Sequence, residues 1–145
     1  MRIKQAIASV ATAAGVSTAV TMTGMVILME SVAHSSMAYL AAFSAALAAT
    51  EFAYMLMMCA IVMLPIFGWA GRPTVRTSVL AGLATGLPWT AWQVIKVCLG
   101  QLEPTGLPGI IAAIAINEGA PVAGTGIALI VWLRMASQPV KEALV

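Results

Sequence analysis

The chain has 145 residues, 61% of them hydrophobic and 8% charged, with a mean hydropathy of +1.00 and a formal net charge of +2. That leaves too little polar surface to cover a soluble fold of this size, and so few charges argue against nucleic acid as a partner. The composition predicts one all-α integral membrane domain over residues 1–145, with the lipid bilayer as its first partner.

Taken in chain order, the first apolar segment runs from about Ala6 to Met29, behind Arg2 and Lys4. Its start, "MRIKQAIASVATAAG", reads as part of a span rather than a removable leader, because the apolar stretch before the small residues Ala11 to Ala13 is shorter than the roughly 7 to 15 residues of a signal core. Met25 and Met29 share a side near its outer end, with His34 following; thioethers and imidazole suit Cu(I), but methionine is also a common filler of apolar interfaces. No metal or other cofactor is expected.

The second segment, Met37 to Trp69, is longer than a bilayer requires and must tilt or protrude. Glu51, Tyr54, Met55 and Met58 fall on one helical face, with Tyr54 placed to donate a hydrogen bond to Glu51. The third runs from about Thr77 to Leu99. It carries Gly82 and Gly86, spaced for close helix packing, and a stripe of Trp89, Trp92, Gln93 and Lys96 beyond a bend expected at Pro88. Cys59 and Cys98 are expected to be buried and too far apart for a disulfide.

The fourth, Leu107 to Leu133, holds one ionisable residue, Glu118, beside the chain's one asparagine, Asn117. Gly119 loosens the turn and Pro121 removes a helical hydrogen bond, which predicts a break or kink between Asn117 and Pro121. The alternative is a helix that starts only near Pro121, behind a half-embedded "TGLPGIIAAIA".

Arginine and lysine supply orientation, because positively charged connections stay cytoplasmic. Arg2 and Lys4, Arg72 and Arg76, and Arg134 and Lys141 mark both termini and the middle connection as cytoplasmic, with Trp69 and Trp132 as interfacial anchors and Lys96 snorkelling at the outer end. An internal repeat fits the same layout: "AALAATE" (Ala45 to Glu51) aligns without a gap on "AAIAINE" (Ala112 to Glu118), and "AGVST" on "AGLAT" in the same register. This predicts two parallel helical hairpins, about residues 6–69 and 77–134, with Glu51 and Glu118 at similar depth near the midplane.

A charged side chain facing lipid there costs at least about 2.5–3.5 kcal/mol, so both glutamates are expected to turn inward, to a partner or a hydrated path. Glu51 and Glu118, with Asn117 and Tyr54, are therefore the candidate ion- or proton-binding residues, and Gly119 and Pro121 the helix break beside them. No phosphate loop, catalytic triad or zinc spacing occurs, so an enzyme is not expected.

The stretch "EGAPVAGTGIAL" from Glu118, with "EP" at Glu103 and Pro104, resembles the second half of the duplicated ring-forming proteolipids of rotary ATPases, whose midplane glutamate binds the transported cation. The resemblance covers about 30 residues. Segments one and three lack that family's dense glycines, and the basic residues mark the opposite sides as cytoplasmic. The function expected is proton or cation translocation, or transport coupled to it, by a homo-oligomer or a subunit of a larger complex; the alternative is a noncatalytic structural or accessory subunit.

Overall fold

The structure, a computed structural model, describes residues 3–33, 37–69, 73–101 and 106–137. It contains four helices: α1 (Ile3–Ala33), α2 (Met37–Trp69), α3 (Val75–Cys98) and α4 (Gly106–Ser137). Three of them contain a stretch long and apolar enough to cross a membrane: Ile3–Ser31 in α1, Ala45–Phe67 in α2 and Gly106–Ser137 in α4. With 24 residues α3 is long enough, but Arg76, Thr77, Ser78, Thr85, Thr90, Gln93 and Lys96 make it too polar to join them. The apolar runs thus account for three of the four expected spans.

Both ends of α3 are closed by local chemistry. Thr74 caps the start in a capping box with Thr77, each accepting a hydrogen bond from the other's backbone N–H. At the far end Gly100, at φ 73°, lets its N–H reach the Val97 carbonyl (3.0 Å) and that of Gln101 reach Lys96 (2.9 Å), the paired bonds of a Schellman motif.

Each helix packs on its two neighbours in a closed ring, and among the described residues the backbones of the diagonal pairs, α1 with α3 and α2 with α4, stay apart. Contacts fix the register. Gln5 meets Trp132, the backbone of Ala13 and the side chain of Ser17 meet Gly124, and Gly24 meets Ile116, so α1 and α4 run antiparallel. Ser78 meets Thr125 and Gly82 meets Val122, so α3 and α4 do too. The apolar core gathers at the end where α1 begins and α4 finishes, with Val10, Cys59, Met63, Phe67 and Ala81 around Trp132. There the Phe67 and Trp132 rings meet edge to face, 5.7 Å between centroids at 84°.

Several expectations are corrected. The helix is not broken at Asn117–Pro121: α4 is continuous from Gly106 to Ser137, which also removes the half-embedded alternative. Proline deletes one donor, the bond to the Asn117 carbonyl, and the rest of the ladder carries the helix through. Trp132 is buried on Phe67 instead of anchoring an interface. Cys59 is buried as expected, but Cys98 is exposed, and both are free. The side chain of Trp69 and residues Arg2, His34, Arg72, Glu103, Pro104 and Lys141 lie outside what is described. A two-fold relation between hairpins would make α1 on α4 equivalent to α2 on α3, yet the first is the most extensive contact and the second the least. Gly82 lies against Val122, whereas its repeat counterpart Gly15 faces open space.

Candidate functional site

Glu118 lies in the middle third of α4, on the side turned to α3. What brings α3 so near is a line of small residues at four-residue spacing, Gly82, Gly86 and Thr90. A Cβ at Gly82 would stand 2.7 Å from the Val122 nitrogen, and one at Gly86 would stand 2.8 Å from Glu118 Oε2 and 2.9 Å from the Asn117 carbonyl oxygen. Neither fits, so only glycine lets the two backbones close.

One turn further on, Thr90 Oγ1 donates a hydrogen bond to Glu118 Oε1. The other carboxylate oxygen and the Asn117 carbonyl flank the same point over Gly86. That carbonyl is the acceptor Pro121 would have satisfied had it carried an N–H. Two acceptors, a carboxyl oxygen and a carbonyl freed from its helix, thus lie side by side against Gly86 with no donor of their own, a pairing suited to a proton or a small cation that reaches the seam. The Asn117 side chain takes no part: it is buried and its Nδ2 returns to the Ala113 carbonyl, 3.2 Å away on its own helix. Its contribution is the backbone oxygen. Gly119 has nothing near it and marks no break.

Glu51 stands elsewhere. On α2 the buried residues Met55, Cys59, Met63 and Phe67 recur every four positions, and half-buried Glu51 extends that stripe one turn, so it too is turned inward. Tyr54 lies close enough to feel its charge, but does not donate a hydrogen bond to it. The backbones of α2 and α4 do not come together among the described residues, and Glu118 is bonded to Thr90 of α3 and not paired with Glu51, so the two glutamates stand as separate sites. On α1, Met25 is half-buried and Met29 exposed, and His34 lies outside the described residues; no cluster of three or more His, Cys, Asp or Glu occurs among the described residues.

Sequence reasoning missed Thr90 and the interior of α1. The signal for both was a four-residue period: Gly82, Gly86, Thr90 on α3, and Gln5, Ser9, Ala13, Ser17, Thr21 on α1, all five of the latter buried. No family model, curated protein or solved structure matches the chain.

Proposed function

We propose that this is a small multi-pass membrane protein that moves protons or small cations, or couples their movement to a substrate, through intramembrane glutamates, with Glu118 as the principal site and Glu51 as a second. The observation that carries the reading is the setting of Glu118: a carboxylate at mid-helix, turned into the α3–α4 seam beside a carbonyl freed by Pro121. In this reading α3 also spans. Its Ser78, Thr85 and Gln93 are buried and Thr90 serves Glu118, while Leu80, Leu83, Leu87, Trp92, Val94 and Ile95 are exposed, an outer face suited to lipid. With four spans both termini share a side, cytoplasmic by the distribution of arginine and lysine.

One observation favours a different reading. The Thr90 hydrogen bond already satisfies part of the carboxylate, as a purely structural contact would in an accessory subunit. Transport in reconstituted vesicles separates the two. Glu118→Gln keeps size and much of the hydrogen bonding but cannot ionise, so it should reduce transport to background with folding intact, and Glu118→Asp should retain part of it. A glutamine variant that folds and transports like the parent would hand the lead to the accessory role.

A further inference from the structure

The interior of α1 carries hydroxyls with no hydrogen-bond partner among the described residues. Ser9, Ser17 and Thr21 are at least nine-tenths buried and their side-chain oxygens have no hydrogen-bond partner; the same holds for Thr18, and for Ser78 on α3. This is not the habit of the chain. Thr12, Thr85 and Thr125 each bond a carbonyl four residues back, at 2.7, 2.8 and 2.9 Å. A hydroxyl in a dry helix seam has that acceptor within reach, and the unpartnered group leaves it unused.

Their positions form a column. Gln5 and Ser17 stand against α4, since Gln5 Nε2 donates to the Trp132 carbonyl (2.8 Å) and the Ser17 hydroxyl abuts Gly124, while Ser9 and Thr21, both buried, each lie one turn further along the helix from one of them. Four residues rise about 6 Å, a gap bridged by one or two water molecules. At the longer interval between Ser9 and Ser17 the carbonyl oxygen of Ala13 faces Gly124 across the seam. The top of the column is level with Glu118, because Ser17 pairs with Gly124 and Gly24 with Ile116, which sets residue 118 between them. Beyond that level the α1–α4 seam turns apolar, with Gly24 against the Ile116 side chain and Ile110 buried above it.

We propose that these hydroxyls form a one-sided route by which water and protons reach Glu118 from the end of the bundle where α1 begins and α4 finishes. Its place in transport rests on the reading of Glu118 given above; its existence does not. The experiment uses the full chain in sealed vesicles, with Cys59→Ala and Cys98→Ala as background and Thr21→Cys or Thr18→Cys added singly. Both replace threonine by a smaller side chain and so preserve the packing. Silver ion, small enough to follow a file of water and reactive with thiolate, should modify each at least tenfold faster from the face bearing the termini than from the opposite face. Equal rates from both faces, faster reaction from the opposite face, or no reaction from either overturns the route and makes the seam dry packing. The two readings fail separately. A reactive Thr21→Cys alongside a fully active Glu118→Gln removes the transport reading alone, and an unreactive one alongside an inactive Glu118→Gln removes the route alone.

Discussion

At the scale of the residue, the seam between α3 and α4 is decided by hydrogen atoms. Gly86→Ala would drive a methyl into the Asn117 carbonyl, a backbone atom that cannot swing aside, as well as into the Glu118 carboxylate. Overpacking of this kind costs about 1–3 kcal/mol. The midpoint of thermal unfolding in detergent should fall accordingly. Gly119→Ala should raise it, through a gain in stability of up to about 1 kcal/mol, because Gly119 sits in a continuous helix with open space where the methyl would go. A loss of stability at Gly119 would restore the broken helix. That Glu118 turns inward was legible from its lone charge in an apolar run. Its partner was not, because which residue of α3 lies opposite depends on the register of two helices, and that register is set by the glycines at 82 and 86. The expected Tyr54 bond to Glu51 failed for a related reason: sharing a face at helical spacing brings groups near without aiming a donor at an acceptor.

At the scale of the element, α4 is instructive because a proline lies inside it. Pro121 is buried and costs the helix one hydrogen bond, at Asn117. Pro121→Ala returns the donor, quenches that carbonyl and leaves Glu118 ionisable. In vesicles it should therefore impair transport measurably but less than Glu118→Gln does. Equal loss in the two variants would mean that the freed carbonyl matters as much as the charge. The ends of α3 allow a simpler check. Gly100→Ala forces a Cβ into left-handed backbone and should cost about 1–2 kcal/mol by thermal unfolding, while leaving transport unchanged. The α2 limits, Met37 to Trp69, were readable from hydropathy alone, and the other three came close. Of the break or kink expected at Pro121 the break was misread, because a proline counts against a helix locally, whereas the flanking turns and the packing against α3 decide whether it continues.

At the scale of the whole molecule, polarity is arranged inside out. Among the described residues ten polar side chains, from Gln5 on α1 to Thr125 on α4, are buried, and exposed leucine, isoleucine and valine lie on all four helices. Such a surface is stable against lipid and not against water. Cysteines introduced at Ser35 and Thr105 should be labelled by an impermeant reagent from outside, and one at Thr74 should not; the reverse pattern would invert the topology and revive the ring-proteolipid resemblance. Gly82 and Gly124 pack within the chain, between α3 and α4 and between α4 and α1. Gly82→Leu should therefore unfold the protein in detergent rather than merely dissociate an oligomer. The helix inventory was legible because hydropathy is a sum along the chain. The pairing of α1 with α4 was not, because segments this uniformly apolar have no amphipathic face to announce their neighbour, and the cue that existed was the spacing of small polar residues.

The closeness of α1 and α4 has a consequence for how the protein is made. Of the four helices α1 is made before its chief partner, α4, so the face bearing Ser17 waits through the synthesis of α2 and α3 before α4 covers it. Until Gly124 arrives to seat on Ser17, the nascent chain holds a hydroxyl-rich surface at membrane depth, where insertion machinery must shelter it and quality control can recognise it. Chains stopped after α3 should be cleared from the membrane far faster than chains that include α4, and a separately expressed α4 segment should rescue them.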